Sequence, residues 1–284
     1  MALKPEDLLH GYIQVSSLPV IYTRVNEAVN NPRSSTSDIS KVISDDPGLT
    51  SRLLRLVNSA FYGYPNKIDT ISRALLIVGT QQLRELALAT SVITMFDGIS
   101  ARLVNMESFW RHSIACGIAA KILATYRKTE SHSERFFVAG IVHDIGRLIL
   151  FKKRPHEAEE ALTISRSDEQ PLYQAEQKVL GFDHAEIGRS LLLMWNIPPV
   201  LQEIVAFHHN PGGAVSHKVE AAVIHVADII AHGMQFGTSG ERFVPPLNEK
   251  AWDLIDLPLS VLPPLLDQIE REVGEVQRLI FRND

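Results

Sequence analysis

Apolar residues recur along most of this chain at intervals of three and four positions, the spacing of one face of an α-helix. No stretch of alternating apolar and polar residues is bounded by hairpin turn residues, so the pattern predicts an all-α protein. The clearest helix begins with Asp46 as its N-cap and Pro47 in its first position, and it ends before Gly63. The residues predicted on its apolar face are Leu49, Leu53, Leu56, Val57 and Ala60.

A pair of helices is predicted from Thr70 to about Thr94, with a tight break at which Gly79 ends the first helix and Thr80 caps the second. The pair resembles a helix-turn-helix in which residues 80–88 would be the recognition helix. The alternative is that the break only packs two core helices together. Few polar side chains are available in 80–88 and the chain is acidic overall, so the sequence favours core packing over DNA binding.

Further helices in the second part of the chain have ends marked by caps and prolines. A helix from Ser108 to about Tyr126 places His112 on its inward face. One further predicted helix runs from about 133 to 150 and ends before Pro155. The others are one capped by Asp183 and running to Trp195, one that opens at Pro198 and Pro199 and ends at residues 208–211, and one capped by Ser216 and running to Gly233.

Less regular patterns suggest where the chain divides. Residues 238–246 are a loop by composition, and residues 247–281 alternate short helical pieces with prolines. The weakly patterned stretch from Met95 to Asn105 is expected to join two subdomains. The predicted organisation is an N-terminal helical subdomain (1–98), a second helical subdomain (99–236) and a C-terminal helical extension (237–284).

Charge and cysteine content narrow the classes of function. Lys and Arg number 28 against 33 Asp and Glu, a net charge of −5, which argues against a general nucleic-acid binder. Cys116 is the only cysteine and has no disulfide partner within the chain. The first residues lack the pattern of a secretory signal, and no apolar run approaches the roughly 18 residues that span a membrane. We therefore expect a soluble, cytoplasmic protein without a membrane partner.

Histidines and aspartates at the predicted helix ends supply the candidate chemistry. The candidates are His112, His143, Asp144, His184, His208, His209 and Asp228. Imidazoles and carboxylates are ligands for iron, manganese, zinc or nickel, and a carboxylate beside a histidine can bridge two ions. Taken singly, each histidine is more often an ordinary core or surface residue. His225 and His232 share a helix face with Asp228 and are either orienting groups or accidental neighbours.

Several blocks of the sequence resemble a known family, the HDOD (HD-related output) domains. The resemblance covers roughly Val15 to Ala231. The blocks are LPVIYTRVNEAVNNP, SKVISDDPGLTSRLLRLVNSAFYG, DTISRALLIVGTQQLRELALA, FWRHSIACGIAAKILA, AGIVHDIGRLIL, FDHAEIGRSLLLMWNIPPVLQEIVAFHH and HVADII. The resemblance implies a multi-helix fold in which an N-terminal helical subdomain packs on an HD-like helical bundle.

HDOD domains are similar to the HD superfamily of metal-dependent phosphohydrolases, which includes the HD-GYP phosphodiesterases. The ligand order of that superfamily, H, HD, H, HH, D, falls on the seven candidates named above. The resemblance thus implies metal ions, with two of them bridged by Asp144. In this arrangement His112, His143, Asp144 and Asp228 hold one ion, and His184, His208 and His209 help to hold the other.

Two departures from the HD-GYP pattern bear on catalysis. The paired histidines are followed by NPGGAVSHK, so the Gly-Tyr-Pro loop is absent. The lysine expected after His-Asp-x-Gly is Arg147, which keeps the positive charge but replaces a compact ammonium with a planar fork. Asp144 and Arg147 would be the catalytic residues if the protein is an enzyme.

Three functions are compatible with these features. The first is a regulatory, signal-transducing protein that binds metal and a nucleotide or other phosphorylated ligand, acts on an unidentified signalling partner and lacks efficient catalysis. The alternative is a metal-dependent phosphohydrolase or cyclic dinucleotide phosphodiesterase. The third is a DNA-binding regulator. The resemblance supports a scaffold for metal or a phosphorylated ligand better than it supports turnover.

Overall fold

The computed structural model describes residues 3–9, 18–96, 98–127 and 133–281. Within these ranges every regular element is a helix, which confirms the all-α prediction. Short 3-10 helices lie at Pro5–Leu8, Pro211–Gly213 and Leu259–Val261. The α-helices in chain order are α1 (Val20–Asn30), α2 (Thr36–Ser44), α3 (Pro47–Val57), α4 (Ile71–Ile77), α5 (Thr80–Ile93), α6 (Met106–Tyr126), α7 (Ser133–Val142), α8 (Ile145–Lys153), α9 (Pro155–Ser167), α10 (Leu172–Leu180), α11 (His184–Met194), α12 (Pro199–Phe207), α13 (Lys218–Gly233), α14 (Glu249–Ile255) and α15 (Leu262–Phe281).

Helix α3 shows how local sequence starts a helix in the N-terminal part. Asp46 caps it as predicted, because its Oδ1 accepts a hydrogen bond from the backbone N–H of Leu49 at 2.7 Å. The helix ends at Val57, so Ala60 lies beyond it and is exposed, and its predicted place on the buried face is wrong. The side chain of Asn58 donates to a backbone carbonyl ten residues further along, which fixes the turn that follows the helix.

The break between α4 and α5 is a junction of core helices. Its N-cap is Gly79, not Thr80 as predicted, and Thr80 is the first helical residue. Gly79 has a φ of +98°, a conformation that glycine adopts readily and other residues rarely do. Helix α5 buries Leu83 and all of residues 86–92, and it packs against α1, α3 and α7. The predicted recognition helix is therefore largely covered, as the core-packing interpretation expects.

Helices α6 and α7 form the centre of the second part. They approach so closely that a Cβ added to Gly140 would lie 2.4 Å from the backbone nitrogen of Gly117. Helix α13 packs on another side of α6, and α15 packs against both α6 and α3. This arrangement places His112, buried on α6, near the end of α7 and the face of α13.

The single helix predicted from 133 to 150 is wrong, because the chain turns at His143 and Asp144. The first part, α7, ends at Val142 and the second, α8, begins at Ile145. The turn directs α8 against α11, where a Cβ on Gly146 would lie 2.0 Å from the carbonyl oxygen of His184. Helical periodicity continues across the turn, which is why sequence pattern did not reveal it.

The helices that follow the paired histidines, His208 and His209, differ from the predictions in two places. Helix α13 has His217 as its N-cap residue, not Ser216, whose backbone N–H instead donates to Glu203 Oε1 at 2.7 Å. The last helix, α15, is 20 residues long, so residues 247–281 are not only short pieces. Its prolines, Pro263 and Pro264, lie in the first turn, where no intrahelical N–H donor is required.

Other expectations for this region hold or stay open. Residues 238–246 contain no helix or strand, as predicted. Among the described residues, no helix is both long enough and apolar enough to cross a bilayer. The division at 98/99 and 236/237 stays a prediction; Asp97, beside the first boundary, lies outside the described residues.

Candidate metal centre

The turn between α7 and α8 sets the orientation of the first candidate ligands. The Nδ1 atom of His143 lies 2.6 Å from the carbonyl oxygen of Gly140 and must donate to it, because a carbonyl only accepts. At the end of α12, His208 Nδ1 makes the same contact with the carbonyl of Val205 at 2.7 Å. Each ring therefore directs its Nε2 atom inward, and in the neutral imidazole that atom carries the lone pair that a metal ligand requires.

One group of candidate ligands comes from α6, the α7–α8 turn and α13. His112 Nε2 lies 3.0 Å from Asp228 Oδ1, and His143 Nε2 lies 3.5 Å from the same oxygen. His143 Nε2 is also 3.3 Å from Asp144 Oδ2. Ligand atoms of His112, His143 and Asp144 all lie within 4.8 Å of one another, close enough to share one ion.

The second group comes from α11 and the end of α12. His184 Nε2 lies 3.3 Å from His208 Nε2 and 3.0 Å from His209 Nε2. These three side chains also offer ligand atoms within 4.8 Å of one another. The other oxygen of Asp144, Oδ1, is 2.9 Å from His184 Nε2 and 3.8 Å from His208 Nε2. The two oxygens of Asp144 thus face different groups, the geometry of a bridging carboxylate.

The two extra histidines of α13 have different roles. His232 Nε2 lies 3.4 Å from Asp228 Oδ1, and its ring centroid is 4.1 Å from that of His112. His112, Asp228 and His232 form a further group that could hold an ion. His225 instead bonds the backbone on both sides: Nδ1 lies 2.8 Å from the carbonyl oxygen of His208, and Nε2 accepts from Asn248 N at 2.9 Å.

Arg147 is fully buried beside the cluster and is held by several partners. Its Nη1 lies 3.2 Å from Asp144 Oδ2 and donates to the hydroxyl of Ser239, while its Nε donates to Glu176 Oε1 at 3.3 Å. The second oxygen of Glu176 accepts from His184 Nδ1 at 2.6 Å and from the His184 backbone N–H at 2.9 Å. Glu176 and Ser239 were not predicted from the sequence. Glu176 was detectable only as a carboxylate four positions after Leu172 on the buried face of α10.

The buried groups shift one another's pKa values. Burial raises the pKa of Asp144, but the charge of Arg147 and of the nearby imidazoles holds that pKa well below its usual range. Burial and Arg147 lower the pKa of His184, whereas Glu176 and Asp144 raise it, to about 9. Burial and the neighbouring cationic imidazoles lower the pKa of His208 to about 3. His208 is thus neutral at neutral pH, the form that binds metal.

Unsatisfied atoms in the cluster test whether these residues fit a metal. Within the cluster, the following buried atoms approach one another but make no contact with hydrogen-bond geometry among the described residues: both ring nitrogens of His112, His143 Nε2, Asp144 Oδ1 and Asp228 Oδ1. Buried polar atoms without partners are costly, and a bound ion would satisfy them. The nitrogen and oxygen donors are those that first-row transition metals accept. The residues present therefore fit a dinuclear centre.

Residues 237–246 cover Arg147 and are tied to the rest of the fold. The backbone N–H of Thr238 donates to the hydroxyl of Ser108 at the start of α6, at 3.0 Å. The carboxylate of Glu241 accepts from the backbone N–H of Leu172 at 2.6 Å. The cluster beneath is closely enclosed: its seven predicted residues come together, and all except the partly exposed His209 are buried.

Comparison with known proteins places these features in a family. The HDOD domain family matches residues 15–211. An uncharacterized protein of Treponema pallidum (strain Nichols) is 26% identical over 196 residues, which is 69% of this chain and 38% of that protein. The chain thus spans well under half the length of this curated relative.

Solved structures share the fold over nearly the whole chain. A candidate phosphohydrolase from Shewanella amazonensis SB2B is 25% identical, with a TM-score of 0.75 over 96% of this chain and 99% of that one. An HDOD domain protein of unknown function from Geobacter sulfurreducens is 21% identical, with a TM-score of 0.72 over 93% of this chain and 91% of that one. A candidate metal-dependent phosphohydrolase from S. amazonensis SB2B is 22% identical, with a TM-score of 0.67 over 93% and 91% of the two chains.

Proposed function

Since this chain belongs to the HDOD family, we propose that it is a regulatory protein that holds a dinuclear metal centre and binds a phosphorylated ligand without hydrolysing it efficiently. It would transmit its state to a signalling partner. The observation that carries the proposal is the pairing of a complete set of candidate ligands with an Arg147 side chain whose Nε and Nη1 atoms bond buried partners.

The ligand cluster supports the metal part of the proposal. His112, His143 and Asp228 would hold one ion, the three histidines of α11 and α12 would contribute to the second, and Asp144 would bridge them. Bound first-row ions would neutralise the buried carboxylates and polarise an oxygen ligand. Glu176 would orient His184, because it accepts a hydrogen bond from the ring nitrogen opposite the ligating one.

The contacts of Arg147 argue against efficient turnover. In a hydrolase, a cation at this position would be expected to contact the phosphoryl group and stabilise its developing charge. Here the guanidinium bonds Asp144, Glu176 and Ser239. A substrate phosphoryl group would have to displace buried carboxylate partners to reach it, which is costly. Arg147 therefore serves to hold the carboxylates in place.

One observation favours the alternative, a metal-dependent phosphohydrolase. A cavity of about 600 Å³ is lined by His232, which lies 3.4 Å from Asp228 Oδ1, so a substrate in the cavity would be one side chain away from the cluster. The complete ligand set is also compatible with metal-assisted attack on phosphorus. The experiment must therefore measure metal content and turnover on the same samples.

Elemental analysis of purified protein, combined with a screen on cyclic dinucleotides and nucleoside phosphates, tests the proposal. We expect about two first-row metal ions per chain and no turnover above background. Asp144→Ala should reduce the metal content to background, because it removes the bridging carboxylate. Asp168→Asn is the matched control, since Asp168 is exposed and its contacts with Lys178 and with the hydroxyl of Ser167 lie at the surface.

The outcomes separate the two functions. Metal without turnover supports the regulatory proposal. Turnover that disappears in Asp144→Ala and persists in Asp168→Asn would replace it with the hydrolase. Metal content at background in the wild-type protein, after growth and purification with added iron, manganese, zinc or nickel, would contradict both.

A further inference from the structure

A cavity of about 600 Å³ lies outside the ligand cluster, between residues 101–108, the end of α9 and residues 235–244. This volume is within the range of about 300 to 1,000 Å³ that small-molecule sites occupy. The cationic side chains that line it are Arg102, Arg166 and Arg242, contributed by three separate parts of the chain. His232, Ser108 and Thr238 lie on the same wall.

The three arginines have no acidic partner within the described part of the chain. None of the ion pairs there involves Arg102, Arg166 or Arg242, and all three side chains are exposed. The cavity has one acidic lining residue, Glu241, but backbone groups already occupy its carboxylate. It accepts from Arg242 N at 2.8 Å, Phe243 N at 3.1 Å and Leu172 N at 2.6 Å. Three cationic side chains thus surround one space that holds a single carboxylate, which leaves a net positive charge there in a chain of net charge −5.

We infer that this cavity binds a small ligand carrying two or more phosphoryl groups through Arg102, Arg166 and Arg242. The inference rests on the proposed function and deepens it, by naming the ligand class and the residues that recognise it. Guanidinium groups match phosphate geometry with paired N–H donors. Three of them, from different elements, suit a ligand whose negative charge is spread over more than one phosphoryl group.

The hydroxyl of Ser108 adds a neutral donor. Its oxygen accepts from the backbone N–H of Thr238 at 3.0 Å, which holds it at the cavity wall and leaves its proton available. Gly237 makes this close approach possible, since a Cβ at that position would lie 2.3 Å from the carbonyl oxygen of Ser108. The wall is therefore built by a specific backbone contact between residues 237–238 and the start of α6.

The position of the cavity connects the ligand to the rest of the molecule. His232 lines it and lies 3.4 Å from Asp228 Oδ1, so a bound ligand touches a side chain of the metal cluster. Residues 101–105, which join α5 to α6, form another wall. A ligand that binds two arrangements of this joint with different affinity would shift their populations.

Isothermal titration calorimetry on the full chain tests the inference, with inorganic pyrophosphate, guanosine triphosphate and cyclic di-guanylate as probes. We expect at least one probe to bind wild-type protein, with an affinity that falls as salt increases, because exposed charges are screened. The variant Arg102→Gln/Arg166→Gln/Arg242→Gln should bind it at least about tenfold more weakly, since each lost charge-assisted bond contributes substantially.

A variant with the same net charge serves as the control. Arg33→Gln/Arg73→Gln/Arg278→Gln changes three exposed arginines outside the cavity and should retain wild-type affinity. Binding of pyrophosphate equal to that of the nucleotides would mean that the phosphoryl groups alone are recognised. Preference for one nucleotide would mean that its nucleoside part adds contacts. Both outcomes support the inference.

The inference is overturned if no probe binds the wild-type protein, or if the cavity variant binds as tightly as the control. Circular dichroism and thermal melts should show that both variants fold, because all six side chains are exposed. Metal content measured on the same samples keeps this result separate from the proposed function. Loss of ligand binding with unchanged metal concerns the cavity, whereas absence of metal concerns the cluster.

Discussion

The N-terminal half, helices α1–α5, and the HD-like half, helices α6–α13, bury different kinds of polar side chain. In the first, the described buried polar residues are hydroxyl side chains only, such as Ser59 and Thr90. In the second, the buried set includes imidazoles, carboxylates and Arg147. An apolar side chain is stabilised by burial against any well-packed apolar neighbour. A buried charge is stable only beside a partner of opposite charge. The comparison teaches that a core substitution in the first half removes apolar burial, whereas one in the second can leave a buried charge with too few partners.

The largest effect should come from breaking the buried ion pair of the HD-like half. Glu176→Gln removes the negative charge that compensates Arg147 and orients His184. Removing one partner of a buried ion pair typically costs about 3 to 5 kcal/mol, because the remaining charge keeps fewer ion-pair partners, here Asp144 alone. We therefore expect a loss of unfolding free energy of that size in urea denaturation.

Glu157→Gln is the matched control for this prediction. Glu157 pairs with Arg154 at 3.4 Å, but both side chains are substantially exposed, so the expected loss is below about 1 kcal/mol. Equal losses of unfolding free energy in the two variants would show that the buried ion pair contributes no more than an exposed one. The comparison between the halves would then fail.

A smaller loss is expected from the apolar core of the N-terminal half. Leu53 on α3 is fully buried, and Leu53→Ala should leave a cavity that lowers the unfolding free energy by about 3 kcal/mol. Metal content should be unchanged, because α3 supplies none of the cluster residues.

The exposed Leu76 on α4 provides the control for Leu53. Its side chain is 77% exposed, so Leu76→Ala should change stability by less than about 0.5 kcal/mol. Metal content that falls together with stability in Leu53→Ala would mean that the two halves form one cooperative unit around the cluster.

The difference between an apolar core and a buried charged cluster also explains which features could be predicted from the sequence. In the N-terminal half, helix ends follow from local caps such as Asp46 and Thr70, whose side chains bond the first turn. The seven cluster residues could be named as candidates from residue type and predicted helix ends, but only the resemblance to a family related them to one another. Their ligand atoms come from separate helices, and nothing in local periodicity relates His112 to Asp228.

The features that were missed depend on tertiary contacts. The turn at His143 and Asp144 interrupts a helical pattern that continues across it, and a contact of the His143 ring with the α7 backbone accompanies it. Glu176 looks like an ordinary helical carboxylate until α8 and α11 bring Arg147 and His184 to it. Sequence pattern gives the elements, whereas these partners depend on how the elements meet.

The smallest predicted effect tests the contact between the halves, where Glu85 on α5 faces Arg135 on α7 at 3.9 Å. Burial raises the pKa of Glu85 to about 7 against the opposing charges of Arg135 and Arg84, with Glu134 adding to the increase. The ordinary value is 4.5. Between these two pH values Glu85 keeps its proton in the folded protein but has released it in the unfolded chain. The free energy of unfolding therefore falls as pH rises from about 4.5 to 7.

Glu85→Gln removes this dependence, because glutamine stays neutral. The variant should be more stable than wild type by about 1 to 2 kcal/mol at pH 8 and nearly equal to it at pH 4, as measured by urea denaturation at both values. Glu27→Gln, at an exposed position of α1, is the control and should show no such gain. A loss of stability at pH 8 would mean that the Arg135 pair outweighs burial of the charge. The contact between the halves would then depend on a charge pair, as the cluster does, instead of on apolar packing.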